Sequence, residues 1–331
     1  MRFKIPAALL ACFLLLTSCA LLRPASGETT EKPLPDTDPV TDPDTLPDTD
    51  PVTEPETEPE TAPVTDPATE PETVPETEPQ TEPPAPVLPT RLNPIPGEKT
   101  LRNFLSTALS PLGKVMYVYG GGWNEADDGA GVEATSIGLS PAWEAFTAQQ
   151  DASYNTDDHR YEIHNGLDCS GFVGWAVYNT LQSENGHEGY VTSSAKMAKV
   201  FADRGLGSFT EAGPGKEFRP GDIVSMSGHV WISLGTCADG SVVILHCSPN
   251  GVILCGTVKD GEESTASRLA GEYTERYFPE WYAKYPAVTR SASSYLSDAV
   301  TLFRWSDEVL SDEEGLSSLS AEELLPILFA E

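Results

Sequence analysis

The amino-acid sequence predicts an α+β fold in which helices pack on an antiparallel sheet. Apolar residues recur at helical spacing early in the folded region, and short β-rich runs separated by turn residues follow later. Helices and strands that are grouped rather than strictly alternating are typical of this fold class. The residues from Lys99 onward, somewhat more than 200 of them, suit one domain with a core of its own.

Residues 1–18 predict a lipoprotein signal peptide. Arg2 and Lys4 precede an apolar run, residues 7–16, that is short for a membrane span. The sequence Leu-Thr-Ser-Cys ending at Cys19 is similar to the bacterial lipobox, after which the chain is cut before the cysteine and its thiol is lipidated. We therefore expect Cys19 to anchor the chain to the outer face of the cell membrane. An ordinary signal peptide with an incidental cysteine is the alternative.

Residues 19–98 predict a disordered linker that follows the lipidated cysteine. From Glu28 to Glu98 the chain consists mainly of Thr, Pro, Glu and Asp and has no aromatic residue, so it has too little apolar surface to offset the entropy cost of ordering. Proline and like-charge repulsion favour an extended chain, in which about 70 residues reach on the order of 200 Å. This length would carry a folded domain from a membrane surface into a cell wall.

The net charge of the folded part is smaller than that of the whole chain. The formal net charge is −31, and 19 of the 51 acidic residues precede Lys99. From Lys99 onward the chain has 32 acidic and 15 basic residues, a net charge of −17. Such a domain would repel phosphates, so we expect no nucleic-acid partner.

Three helices are predicted in the first part of the domain, which we place at residues 99–306. The first begins near Leu101, where apolar residues recur every three or four positions. The second begins at Cys169, and the third, residues 194–204, ends at Gly205.

The predicted strands follow the helices. Four of them are apolar and β-branched runs bounded by turn residues: residues 223–226, 229–234, 242–247 and 252–257. Asp239-Gly240 is a hairpin turn between two of these runs, and Thr301–Trp305 is a candidate closing strand. The acidic tail, residues 307–331, has leucines at helical spacing, which predicts an amphipathic helix that docks on this domain or on a partner.

Cys169 is the strongest candidate for a reactive residue. It begins a helix, where free backbone N–H groups and the positive end of the helix dipole are expected to lower the thiol pKa and populate the thiolate. His229 and His246 lie downstream, each in a strand-like run. A cysteine that begins a helix, followed by histidines on strands, is typical of cysteine hydrolases. A buried structural thiol and core histidines are the alternatives.

Four motifs together resemble the NlpC/P60 family of papain-like cell-wall peptidases. They are Tyr-Val-Tyr-Gly-Gly from Tyr117, Asp-Cys-Ser-Gly-Phe-Val from Asp168, Arg-Pro-Gly-Asp-Ile-Val from Arg219 and Gly-His-Val-Trp-Ile from Gly228. The motifs occur in the order typical of the family, and the resemblance covers residues 99–257. The resemblance implies a papain-like fold and cleavage of peptidoglycan stem peptides between D-glutamate and the diamino acid.

The resemblance also implies a role for each matching residue. Cys169 is expected to be the nucleophile, His229 its general base, and His246 the residue that orients His229. Tyr117 is expected near the developing oxyanion. The residues expected to bind substrate are Asp168, which would hold a free ammonium group, together with Ser170, Tyr119 and Trp231.

These roles require no metal and no organic cofactor. The expected partners are peptidoglycan stem peptides or muropeptides and, through the lipid, the membrane; the expected oligomeric state is a monomer. A zinc site built from His229, His246 and cysteines lacks any Cys-x-x-Cys spacing. A Cys247–Cys255 disulfide would suit an exported chain and stays an open alternative.

The chain departs from the family pattern by an insertion, residues 123–165, within the 45 residues that separate Gly122 from Asp168. The insertion is expected either to cap the active-site groove or to pack elsewhere. Two alternative functions stay open: an amidase or acyltransferase that acts on another wall bond, and a catalytically silent wall-binding lipoprotein.

Overall fold

A computed structural model describes Leu92 and residues 94–330 of the chain. The predicted signal peptide, Cys19 and most of the linker lie outside these residues. Within the described part of the chain, no helix is both long enough and apolar enough to cross a membrane.

The described residues form an α+β domain of eight α-helices and seven strands. The helices are Leu101–Leu109 (α1), Pro141–Thr147 (α2), Cys169–Leu181 (α3), Met197–Asp203 (α4), Thr265–Tyr277 (α5), Pro279–Lys284 (α6), Ala292–Tyr295 (α7) and Ala321–Leu328 (α8). The strands are Gly207–Thr210 (β1), Ile223–Met226 (β2), His229–Thr236 (β3), Val242–Ser248 (β4), Gly251–Val258 (β5), Thr289–Ser291 (β6) and Thr301–Trp305 (β7). The three predicted helices are confirmed as α1, α3 and α4, the last preceded by a 3₁₀ turn at Ser194–Lys196, and the five predicted strands as β2 to β5 and β7. Helices α2, α5, α6 and α7 and strands β1 and β6 were not predicted. Tyr117, just before the Gly120–Gly122 run, forms only an isolated bridge with Leu167.

The seven strands form one mixed sheet in the order β1-β7-β2-β3-β4-β5-β6. Neighbouring strands are antiparallel except β5 and β6, which are parallel because α5 and α6 connect them. The prediction of a purely antiparallel sheet is therefore wrong at this edge. Strand β7 lies between β1 and β2, with Phe303 opposite both Phe209 and Ile223.

The two faces of the sheet are covered by different parts of the chain. Helices α3, α4, α5 and α8 contact strands on one face, where Val230, Leu245 and Cys247 belong to the larger apolar cluster. On the other face, Trp231 and Ile253 belong to a second cluster that includes residues of the insertion and of the segment after α6. Successive side chains of each strand therefore point alternately into two separate apolar cores.

Helix α3 is the central helix of the larger core. All thirteen of its residues are buried, since β3 and β4 contact it along with α1 and the insertion. A helix that is apolar around its whole circumference needs such enclosure. Gly171 makes the enclosure possible at the start of the helix, where an added Cβ atom would lie 2.0 Å from the Gly121 carbonyl oxygen.

The C-terminal tail docks on its own domain. The buried apolar residues of the tail are Leu310, Leu316, Ala321, Leu324, Leu325, Leu328 and Phe329. Ser320 caps α8 reciprocally with Glu323, and the Tyr277 hydroxyl donates a hydrogen bond to the Phe329 carbonyl oxygen at 3.2 Å. The tail thus completes the core on the α1 and β3 side.

We expect Leu325→Ala to lower the free energy of unfolding by about 2–5 kcal/mol, because Leu325 is fully buried and its truncation leaves a cavity. The measurement is reversible denaturation monitored by tryptophan fluorescence. Ile327→Ala, on the half-buried side of the same helix, is the matched control and should cost less. Equal losses for the two variants would contradict this docking.

Cys247 and Cys255 are free thiols on opposite faces of the sheet. Cys247 lies opposite Val252 in the larger core, whereas Cys255 lies opposite Ile244 in the second core. Their side chains point away from each other across the hairpin, so no disulfide joins them.

Candidate active site

Cys169 is the first residue of α3, and Asp168 is its N-cap. The backbone of Asp168 is extended, and its carboxylate accepts hydrogen bonds from the Gly171 N–H group at 2.7 Å and from the Ser170 hydroxyl at 2.8 Å. The Asp-Cys-Ser-Gly sequence therefore fixes the start of the helix: the aspartate caps it and the glycine permits close packing. Both fix the position of the cysteine.

The loop before Cys169 is held by the segment that contains Tyr117. The Val118 N–H group donates to the Leu167 carbonyl oxygen at 3.0 Å, and the Asp168 N–H group donates to the Gly121 carbonyl oxygen at 2.9 Å. These bonds place the half-buried Tyr117 beside Cys169. Burial raises the pKa of Tyr117 well above its usual range, and negative charge at Cys169 would raise it further. The hydroxyl thus stays protonated and can act as a hydrogen-bond donor.

The two strand histidines form a hydrogen-bonded pair. Nε2 of His229 on β3 lies 2.8 Å from Nδ1 of His246 on β4. The regular pairing of these strands begins at Ile232 and Leu245, beyond the histidine end. At that end the Val230 N–H group donates to the Cys169 sulfur, so the thiol lies against the backbone next to His229.

The histidine pair is uncharged near neutral pH. Burial lowers the pKa of His229 to about 3 and that of His246 well below its usual range, and the nearby Arg290 guanidinium lowers both further. His229 keeps some exposed surface, whereas His246 is fully buried. Within the described residues, Nε2 of His246 has no hydrogen-bond partner.

The expectation of a lowered thiol pKa at Cys169 is wrong for this structure. The residue is only 7% exposed. Burial raises the pKa of the thiol, and the Asp168 charge raises it further, while the N–H groups of Val230 and Ser170 oppose the shift without overcoming it. Desolvation therefore outweighs the helix terminus, and the Cys169 thiol and the His229 imidazole are both neutral in the resting protein.

The four residues expected to bind substrate differ in their surroundings. Trp231 is fully buried between Phe218 and Tyr295 in the second core, which corrects its assignment as a substrate contact: a side chain with no exposed surface cannot touch a ligand. The Ser170 hydroxyl donates to Asp168 and accepts from Trp123 Nε1 at 3.0 Å.

Asp168 and Tyr119 lie closer to the surface that a ligand could reach. Asp168 is 8% exposed, and burial raises its pKa to about 6 in spite of the hydrogen bonds it accepts, including one from the Gly120 N–H group. Tyr119 is half-buried, and its pKa is raised by burial and by the neighbouring Tyr161. Their substrate contacts stay predictions.

The insertion contacts the candidate site and also packs behind it. At the site, the Tyr154 hydroxyl donates to the Tyr117 carbonyl oxygen at 2.7 Å, and the Trp123 ring lies against the start of α3 through its bond to Ser170. Behind the site, Trp143 is buried against Trp175 of α3. The insertion therefore contacts the segments beside Cys169 and also packs on α3 behind them, and its role as a cap stays a prediction.

Two further residues lie near the histidines, and no sequence motif predicts them. The centroid of the Tyr295 ring lies 5.8 Å from the ring centroids of both His229 and His246. The Arg290 guanidinium donates a hydrogen bond to the Ser248 hydroxyl at 3.1 Å. Both come from the segment of β6 and α7, more than forty positions after His246. No local pattern marks them, because only the parallel pairing of β6 with β5 brings them to the site.

We expect Arg290→Met to raise the pKa of His229. The guanidinium is one of two causes that lower this pKa, so its removal moves the value upward, while burial still keeps it below about 6.5. The measurement is an NMR titration of the imidazole C–H resonances, with the surface variant Arg268→Met as control. An unchanged or lower His229 pKa would contradict the expectation.

Among the residues that the structure describes, no group of three or more histidine, cysteine, aspartate or glutamate side chains could hold a metal ion. Comparisons of the chain with protein-family models, with curated proteins and with solved structures gave no match.

Proposed function

We propose that this protein is a papain-like cysteine peptidase of the NlpC/P60 type that hydrolyses peptidoglycan stem peptides between D-glutamate and the diamino acid. One observation carries the proposal: Cys169 begins a buried helix and lies against the strand that bears His229, which is hydrogen-bonded to His246. A thiol, a base and a residue that orients the base are the parts that nucleophilic catalysis requires.

The first step is proton transfer coupled to attack. With Nε2 of His229 bonded to His246, Nδ1 is the ring nitrogen that remains to accept the Cys169 proton. This requires that resting His229 is protonated on Nε2 and donates a hydrogen bond from this nitrogen to Nδ1 of His246. Neutral His246 then carries its own proton on the buried Nε2. The neutral pair thus becomes a thiolate–imidazolium pair only as the thiolate attacks the substrate carbonyl carbon.

The developing oxyanion is stabilised by Tyr117 and by the Cys169 backbone N–H group. His229 then returns the proton to the leaving amine, and the carbon–nitrogen bond breaks to give a thioester with Cys169. A water molecule, deprotonated by His229, attacks the thioester and releases the acid product and the thiol. No metal or organic cofactor takes part in these steps.

The cellular setting follows from the N-terminal segments. Lipidation of Cys19 would hold the protein on the outer face of the cell membrane, and the linker would let residues 99–306 reach the wall. A monomer is sufficient for the proposed chemistry, because all of the proposed catalytic residues come from one chain.

The test is mass spectrometry of purified peptidoglycan after digestion. New fragments cut between D-glutamate and the diamino acid, absent with Cys169→Ala, would support both the chemistry and the bond. Fragments from another wall bond would instead favour the amidase or acyltransferase alternative. An absence of fragments with either protein would count against catalysis.

The silent wall-binding alternative has one observation in its favour, the burial and raised pKa of the Cys169 thiol. A thiol-reactive substrate analogue separates the two functions. Covalent labelling of Cys169 at neutral pH supports the peptidase, whereas binding to peptidoglycan without labelling supports the silent lipoprotein.

A further inference from the structure

A cationic and aromatic cluster lies at the edge of the candidate site, on the insertion. The guanidinium carbon of Arg160 lies 4.3 Å from the ring centroid of Tyr119, a stacked cation–π geometry. Tyr161 meets the same ring edge-on, with centroids 5.3 Å apart, and its N–H group donates to the Tyr119 carbonyl oxygen at 2.9 Å. We call these three residues the Arg160 cluster.

The Arg160 cluster adjoins the loop that carries the nucleophile. A Cβ atom added to Gly120 would lie 3.3 Å from the Tyr161 ring, so this ring covers Gly120. The Gly120 N–H group in turn donates to the carboxylate of Asp168, the residue before Cys169. Two short contacts therefore connect the cluster to the helix start.

Tyr161 has two features that folding alone does not favour. Its φ angle is +65°, a left-handed conformation that a bulky side chain rarely adopts. Its side chain is also among the few large apolar ones in the described residues that stay exposed, at 61%. Backbone strain that holds an aromatic ring in solvent is typical of ligand-binding surfaces.

Arg160 is available to an anion. Its ion pair with Asp157 uses only Nη1, at 3.3 Å, and both side chains are well exposed, which makes the pair weak. The surrounding charges are mostly acidic, with Asp127 near Tyr119 and Glu162 next to Tyr161. The acidic side chains around it would repel a carboxylate ligand, whereas the Arg160 guanidinium can bind one through charge-assisted hydrogen bonds.

We propose that the Arg160 cluster binds the free carboxylate of the D-glutamyl residue and makes the enzyme select it over the corresponding carboxamide. This inference rests on the proposed function. Glutamate has two carboxyl groups, and the scissile amide uses one, so the other is anionic at neutral pH. Amidation of this carboxylate removes its charge with little change in shape. Because only the carboxylate can form a charge-assisted hydrogen bond with Arg160 as an anion, this bond distinguishes it from the carboxamide.

The experiment compares two synthetic stem peptides that differ only in this carboxylate or carboxamide. We expect the wild-type protein to cleave the carboxylate peptide with a kcat/KM about 10- to 100-fold higher, mainly through KM. Arg160→Gln should cleave the two peptides with equal kcat/KM, and this value should match that of the wild-type protein with the carboxamide peptide. Arg268→Gln, which removes a surface arginine paired with Glu272 on α5, is the matched control and should keep the preference.

Failure of this inference is distinguishable from failure of the proposed function. A preference that survives in Arg160→Gln, or a wild-type protein that cleaves both peptides equally, would overturn the inference and leave the peptidase intact. If neither peptide is cleaved, calorimetry with Cys169→Ala decides the inference alone. The inference is supported if Cys169→Ala binds the carboxylate peptide more tightly than the carboxamide peptide and the double variant Cys169→Ala/Arg160→Gln does not. Equal binding of the two peptides by Cys169→Ala overturns it.

Discussion

Replacing Cys169 with alanine is expected to abolish hydrolysis and leave the fold intact. The substitution removes the only atom that can form the thioester, so kcat/KM should fall by at least about 10⁴-fold. The thiol is buried at the first turn of α3, but its loss removes one atom and leaves the Asp168 cap in place. We therefore expect a change in stability of no more than about 1 kcal/mol.

The measurement pairs digestion of stem peptides with thermal unfolding of the same samples. Cys247→Ala is the matched control, because that thiol is also buried in the larger core and donates only to the Leu167 carbonyl oxygen. It should retain hydrolysis. Residual hydrolysis by Cys169→Ala together with a large loss of Tm would mean that Cys169 is a structural thiol.

Replacing His246 with leucine is expected to have the second largest effect, although His246 acts through His229 and not on the substrate. The imidazolium that forms on His229 needs an acceptor for its Nε2 proton, and Nδ1 of His246 supplies it. In His246→Leu the buried imidazolium of His229 has lost its hydrogen-bond acceptor, so we expect kcat to fall by about 10²- to 10⁴-fold.

A purely structural role for His246 would give a different pattern. Ile244→Val changes a buried residue on the same face of β4 and should alter activity little. His246→Asn keeps an oxygen that can accept a hydrogen bond from the His229 Nε2–H group, so it should recover part of the loss. Because His229 becomes harder to protonate without an acceptor, the acid limb of the kcat/KM profile should move to lower pH in His246→Leu. An unmoved limb, or equal effects of leucine and asparagine, would contradict the positioning role.

The neutral states of Cys169 and His229 have a consequence for the proposed mechanism. Desolvation raises the thiol pKa and lowers the imidazole pKa, so charge separation is unfavourable in the resting protein. In the proposed mechanism, the proton therefore moves from Cys169 to His229 only once the substrate carbonyl and the Tyr117 hydroxyl are in place. Such a resting thiol would be protected from solvent oxidants, since the thiolate is the reactive form.

Local sequence patterns were sufficient for much of the fold. Helix α3 follows from an aspartate that caps it and an apolar run behind Cys169, and strands β2 to β5 follow from β-rich runs between turns. These elements depend on backbone preferences and burial within about ten residues. That is the distance over which periodicity and turn chemistry act.

The sequence by itself predicted α1, α3, α4, α8 and the strands β2 to β5 and β7, and so it located Cys169, His229 and His246 before any contact was known. Only the tertiary structure decided that β6 runs parallel to β5, that the C-terminal helix completes the core, and that Arg290 and Tyr295 cover the histidines. It also reversed the expected shift in the thiol pKa. The physical reason is the same in each case: strand order, desolvation and charge contacts depend on groups far apart in sequence, and no local pattern encodes their distance.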